Sequence, residues 1–133
     1  ELSVANAAKL GGHPANYFAQ DKYNRWEGST GVKLESGISA NANLVWRDGE
    51  TVHINLLLRG ILNNGWKLAT LPAACPKPEI PRHFYAACRK AANTTVYYVR
   101  ATIDTAGVVS LIAESGDDGV YSAAQIEIAY PVK

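Results

Sequence analysis

Short stretches with alternating apolar residues, separated by turn-forming residues, follow one another closely from about residue 31 to the end of the chain. In "NLVWRDGETVHINLLLRG" the Asp48-Gly49 pair suits a tight turn between two strands. On the second strand every other residue from Val52 to Leu58 is apolar, so we expect these side chains to face a core. Such a pattern predicts a β-domain built from hairpins.

Further strand-like stretches follow, with no convincing helix between them: "WKLATLP", "RHFYAACRK", "TTVYYVRATID", "VVSLIAESG" and "AAQIEIAYPV". The proline-rich stretch "PAACPKPEIP" must be a loop or an edge, because proline cannot donate to a strand ladder. Roughly seven or eight short strands at this spacing predict a mainly β fold. The expected architecture is an antiparallel β-sandwich or jelly-roll-like barrel.

The first 30 residues have a different character. "AAKLGGHPANYFA" is rich in alanine, is broken by Gly11-Gly12 and restarts at Pro14, which favours short helices over residues 6–10 and 15–24. Helices this short need a surface to pack on. We therefore divide the chain into an N-terminal helical shoulder, residues 1–30, and a β-domain, residues 31–133. The apolar residues expected at an oligomer interface are Leu10, Tyr17, Phe18 and Trp26.

Composition excludes several functional classes. The chain has 13 basic and 12 acidic residues, a net charge of +1 and no basic cluster, so neither nucleic acid nor a membrane is an expected partner. Cys75 and Cys88 do not form a CxxC motif, and they are either two buried free thiols or one disulfide bridge. The chain starts at Glu1 and contains no methionine, so we expect it to be a processed chain or an excised segment.

Catalytic and metal-binding patterns are missing from the sequence. His13, His53 and His83 are scattered over different elements without the spacing of a metal site, and no GxSxG motif occurs. We expect no cofactor, no metal and no enzymatic activity. A glycan-degrading enzyme is a minor alternative, because Glu114 with Asp117 or Asp118 has the spacing of a glycosidase carboxylate pair.

Two sets of motifs carry a family resemblance. "KLGGHPANYFA" resembles a short segment that recurs in bacteriophage tail-fibre proteins. The ordered set "NNGWKLATLP", "ATIDTAGVVSLIAES" and "IEIAYPV" is similar to the terminal receptor-binding head domains of tailed-phage fibres and baseplates. The chain departs from that pattern at Ala74-Cys75, after "LPA", so ligand contacts of that loop are not carried over.

The resemblance implies a homotrimer at the tip of a virion tail fibre or baseplate. Its N-terminal end would attach to other tail or baseplate proteins, and its β-domain would bind a saccharide of the host cell wall or surface. A structural connector or trimerising knob that binds only protein would have the same composition, and it is the main alternative.

A saccharide site needs aromatic faces for the sugar rings and planar polar groups for the hydroxyls. Residues of these types lie in loops or at positions that the strand pattern leaves outside. The expected saccharide-binding residues are Trp46, Arg82, His83, Tyr85, Asp117, Asp118 and Tyr121. His83 and Tyr85 should share one strand face, with Phe84 pointing into the core.

Overall fold

The fold is known from a computed structural model, which describes residues 9–10, 13–14 and 23–132. A short hairpin pairs β1 (Lys9–Leu10) with β2 (His13–Pro14). The main sheet contains nine antiparallel strands. They are β3 (Tyr23–Glu27), β4 (Lys33–Leu34), β5 (Ile38–Asp48), β6 (Thr51–Asn63), β7 (Lys67–Thr70), β8 (Arg82–Arg89), β9 (Tyr97–Ile103), β10 (Val108–Ile112) and β11 (Val120–Pro131).

The strand order forces the sheet to curl. In space the order is β3-β5-β6-β11-β8-β9-β10-β7-β4, so β3 and β4 lie at opposite ends of the sheet. Only residues 28–32 connect them, and this segment spans at most about 20 Å. A flat sheet of nine strands would place its end strands about 38 Å apart. The sheet therefore bends into a half-barrel that brings its two ends together.

Asn43 on β5 fixes the segment that joins the two ends. Its side-chain Oδ1 accepts from the N–H of Val32 at 2.8 Å. Its Nδ2 donates to the carbonyls of Val32 at 3.0 Å and Gly28 at 3.1 Å. Gly31 lies so close that a Cβ at this position would collide with Oδ1 of Asn43. One polar side chain thus satisfies three backbone groups at the closure of the half-barrel.

The concave side of the sheet encloses one hydrophobic core. The alternate residues Val52, Ile54, Leu56 and Leu58 of β6 are at most 1% exposed. Opposite strands contribute the same alternation, and Ile126, Ile128 and Tyr130 of β11 are also buried. The predicted hairpin, its inward-facing residues and the mainly β antiparallel fold are therefore confirmed.

The proline-rich loop between β7 and β8 packs against one end of this core. Tyr130 donates from its hydroxyl to the carbonyl of Pro76 at 2.6 Å. The Lys77 ammonium donates to the carbonyls of Pro72, Ala73 and Cys75 at 2.7–3.2 Å. These bonds give the loop a fixed shape although no strand ladder supports it.

Both cysteines are buried free thiols, which settles the alternative left open by the sequence. Burial raises the pKa of the Cys75 thiol above its usual value. Burial also raises the pKa of Cys88 to about 12. Both side chains act as small apolar residues of the core, because a thiol in this environment stays protonated at neutral pH.

The helical prediction for the N-terminal segment is wrong where the structure describes it. Lys9–Leu10 is a strand, and so is Tyr23–Asn24 at the end of the second predicted helix. Residues 6–8 and 15–22 lie outside the described residues. Leu10 pairs with His13, and Lys9 with Pro14, in an antiparallel ladder. Tyr23–Glu27 pairs with β5, so the sheet also includes residues assigned to the shoulder.

Replacing Asn43 with alanine should lower the free energy of unfolding by about 2 to 4 kcal/mol, since the N–H and carbonyl of the buried residue Val32 lose their partner. Chemical denaturation measures this loss. Gly31→Ala should also destabilise the fold because its methyl group collides with Asn43. Asn41→Ala, at an exposed position of the same strand, is the matched control and should change stability by less than about 0.5 kcal/mol. Equal stability of the Asn43→Ala and Asn41→Ala variants would contradict the assigned role.

Candidate functional site

The convex face of the sheet presents a stacked pair of rings. Trp46 on β5 lies directly opposite His53 on β6. Their ring centroids are 4.7 Å apart and their planes differ by 10°, which is a stacked arrangement. Both strands are held rigidly by the core on their other side, so the pair has a fixed orientation.

A groove opens beside this pair because two neighbouring strands separate. The ladder between β8 and β11 joins only Ala123–Gln125 to Ala87–Arg89. Beyond it, β11 continues along β6 while β8 continues along β9. The gap holds a groove of about 380 Å³. We call it the Trp46 groove. Its aromatic and polar lining residues are Trp46, His53, Asn55, Phe84 and Glu127.

The Trp46 groove combines aromatic and planar polar groups. Trp46 supplies a flat apolar ring on the outer face, and Phe84 lines the gap although its ring also packs against the core. Asn55 and Glu127 lie directly opposite each other on β6 and β11. An amide donates and accepts hydrogen bonds, and a carboxylate accepts two. A ligand that offers both an apolar face and several hydroxyls fits this set.

Strand β8 places two of the predicted residues on the same convex face. His83 and Tyr85 are exposed, and Tyr85 is 70% exposed, while Phe84 between them packs against the core as expected. Arg82 lies elsewhere, beside a small hollow lined by Glu79, Pro131 and Val132. Its Nε is buried without a hydrogen-bond partner within residues 23–132.

The acidic loop before β11 is braced internally by a lysine. The Lys90 ammonium lies 2.7 Å from Oδ1 of Asp117 and 2.8 Å from Oδ1 of Asp118. It also lies over the rings of Tyr97 and Tyr121, at 4.9 and 5.7 Å from their centroids. Both oxygens of Asp117 are engaged, because Oδ1 also accepts from the N–H of Gly119 and Oδ2 accepts from the Tyr121 hydroxyl.

This brace leaves little of the predicted loop site open to a ligand. The ring of Tyr121 is 2% exposed, so it offers no face to solvent. Asp118 is the most open of the three, with 65% of its side chain exposed. Saccharide contacts by Asp117, Asp118 and Tyr121 stay predictions, and the observed contacts give Asp117 and Tyr121 a structural role.

The brace shifts the titration of its members. The N–H of Gly119 and the Lys90 ammonium hold the pKa of Asp117 well below its usual range. The carboxylate of Asp117, and to a smaller extent that of Asp118, raises the pKa of Lys90. Lys90 also lowers the pKa of Asp118. Burial raises the pKa of Tyr121, and the bond to Asp117 adds to the effect. The loop is therefore an ion-paired structure at neutral pH.

The structure describes only some of the residues that are expected at an oligomer interface. Trp26 lies on β3 opposite Val45 and packs against the core of its own chain. Leu10 belongs to β1, and its side chain is outside what the structure describes, as are Tyr17 and Phe18. A role of these residues in association stays a prediction.

No protein-family model matches the chain, and no curated protein matches it. Within the described part of the chain, no group of three or more histidine, cysteine or acidic residues has the geometry of a metal site. The described residues also include no helix with the length and apolar character of a membrane span.

Sequence reasoning missed most of the Trp46 groove. It identified Trp46, but His53, Asn55, Phe84 and Glu127 come from strands that are distant in sequence. The alternation of β6 and β11 does place His53, Asn55 and Glu127 on the outer face. Their proximity depends on strand order and register, which the sequence does not reveal.

Asp117→Asn should lower the melting temperature at pH 7. The difference in melting temperature between wild type and variant should become smaller as the pH falls. A depressed folded pKa contributes stability above the ordinary aspartate value of about 3.9, and this contribution is lost as pH falls through the folded pKa. Thermal unfolding from about pH 7 to about pH 2 measures the gap between wild type and variant. Asp48→Asn, at an exposed strand end, controls for the lost charge. A deficit that stays constant below pH 4 would contradict the ion-paired brace.

Proposed function

We propose that the protein is a receptor-binding domain of a tailed bacteriophage, which attaches to a host by binding a cell-surface saccharide in the Trp46 groove. The observation that carries this proposal is the combination of the Trp46 ring with Asn55 and Glu127 on the outer face, beside the gap that Phe84 lines from its inward position on β8. Sugar rings present an apolar face and a rim of hydroxyls, and this arrangement complements both.

The family resemblance supplies the biological setting of the proposal. In that setting the domain is part of the virion, at the tip of a tail fibre or baseplate. Its N-terminal end attaches to other tail proteins, and its curled sheet belongs to a jelly-roll-like head. Individual saccharide sites bind weakly because their hydroxyls exchange water for protein with little net gain. Three linked domains in a homotrimer raise the avidity by orders of magnitude without new contacts.

A structural connector that binds only protein is the second candidate, and one surface favours it. Tyr85 is 70% and Tyr98 is 71% exposed on the convex face, and Val96 nearby is 42% exposed. Tyr85 pairs with Arg100 and Ala87 pairs with Tyr98, so the two tyrosines are diagonal neighbours. An exposed pair of aromatic rings also suits a protein interface.

Trp46→Ala should weaken binding to bacterial surface polysaccharide about fivefold or more, because a buried aromatic contact commonly contributes more than about 1 kcal/mol. Binding of the labelled domain to purified polysaccharide or to host cells measures the loss. Trp66→Ala is the matched control, since Trp66 is 58% exposed and lies outside the groove. Tyr85→Ala separates the two candidates, because it should impair a connector more than a saccharide site centred on Trp46.

Loss of binding in Trp46→Ala with retention in Trp66→Ala supports the proposal when both variants keep the wild-type circular dichroism spectrum. Equal binding of the two variants would remove the Trp46 groove from the site. If the Tyr85→Ala variant still binds polysaccharide but no longer binds a tail protein, both surfaces are used.

The solution mass tests the proposed assembly. Light scattering after gel filtration should give the mass of three chains, since the resemblance implies a homotrimer. A mass of one chain at micromolar concentration would show that the described fold does not trimerise by itself, and it would remove the avidity argument.

A further inference from the structure

A second groove on the convex face is flanked by two arginines. Arg59 on β6 and Arg89 on β8 both lie directly opposite Ala123 of β11, which runs between them. Residues opposite one another in an antiparallel sheet point to the same face, so both arginine side chains rise from the convex side. Their Cα atoms are about 10 Å apart, two strand spacings, and both side chains are exposed.

The space between the two arginines is open because the residues there are small. Ala87 and Ala123 form the floor of a shallow groove of about 220 Å³, with Gln125 at its side. Longer side chains at the two alanine positions would fill it. A guanidinium reaches several ångströms from its Cα, so Arg59 and Arg89 can both contact one group bound above Ala123.

The two arginines lack acidic partners within the described residues. The ion pairs found in residues 23–132 are made by Arg25, Lys67 and Lys90, and none involves Arg59 or Arg89. Arginine presents its donors as a planar fork that matches carboxylate and phosphate oxygens. Two such forks on either side of an open floor are the recognition elements of an oxyanion site.

We infer that Arg59 and Arg89 bind an oxyanion, the carboxylate or phosphate of an acidic saccharide. This inference rests on the proposed function for its saccharide part. The outward-facing residues of β11 form one continuous floor, from Ala123 through Gln125 to Glu127 in the Trp46 groove. The row of Trp46 and His53 crosses β11 at Ala129, about 20 Å along the strand from Ala123, so an extended oligosaccharide is needed to span both grooves. The sugar rings then lie against Trp46, and the acidic substituent lies between the arginines.

The test compares charged and neutral probes by nuclear magnetic resonance. Inorganic phosphate, glucuronic acid, glucose 6-phosphate and glucose are titrated separately into the protein, and the side-chain Nε–Hε signals of Arg59 and Arg89 are followed. We expect the three anions to shift both signals with dissociation constants on the order of 1 to 10 mM, and glucose to leave them unchanged. The charged sugar with the lower dissociation constant shows whether the site prefers a carboxylate, as in glucuronic acid, or a phosphate, as in glucose 6-phosphate.

Arg89→Gln should weaken anion binding roughly tenfold, because it removes one of the two forks. Arg100→Gln is the matched control, since Arg100 is also exposed on β9 and its loss changes the net charge equally. That control should change anion affinity by less than about twofold. Equal weakening in both variants would show a general charge effect and overturn the inference, as would unmoved Arg59 and Arg89 signals in the wild type.

The indole N–H signal of Trp46 distinguishes failure of the inference from failure of the proposed function. Sugars that shift Trp46 while anions leave the arginines unmoved would overturn the oxyanion site and leave saccharide binding standing. Anions that shift the arginines while no sugar shifts Trp46 would keep the oxyanion site and contradict a saccharide groove at Trp46.

Discussion

Three hydrogen bonds from Asn43 hold the short segment 28–32 that joins the two ends of the sheet, and the other features of the structure depend on this closure. Strands at opposite ends of the sheet are adjacent in the chain, so the sheet must curl to satisfy the short connection. Curling gives the sheet one enclosed face and one exposed face. The enclosed face holds the core, and the exposed face becomes a rigid platform on which side chains keep fixed positions.

The two grooves of the convex face have different physical origins. The Trp46 groove lies where β8 and β11 stop pairing and the sheet opens. The groove at Arg59 and Arg89 lies where β11 still pairs with both β6 and β8, next to the register shift between Tyr121 and Ala123, and small alanine side chains leave room above the sheet. Neither groove depends on a loop for its shape. The acidic loop, by contrast, directs its carboxylates to Lys90 and to its own backbone, so its charges stabilise the fold.

Local patterns were enough to predict the hairpins, the inward residues of β6 and β11 and the shared face of His83 and Tyr85. They failed at Tyr23–Asn24, where pairing with β5 overrides the local helical preference. They also failed to show that Asp117 is bound by Lys90, a residue 27 positions away in sequence. The grooves required strand order and register, which bring Trp46 near Glu127 and Arg59 near Arg89.

The most direct test of the account is the map of backbone and side-chain shifts when a fragment of host surface polysaccharide is added to isotope-labelled protein. We expect shifts at the Trp46 indole, His53 and Glu127, on the convex face of β5, β6 and β11. Shifts confined to the loop of Gly116–Gly119, or to the exposed tyrosines of β8 and β9, would contradict it.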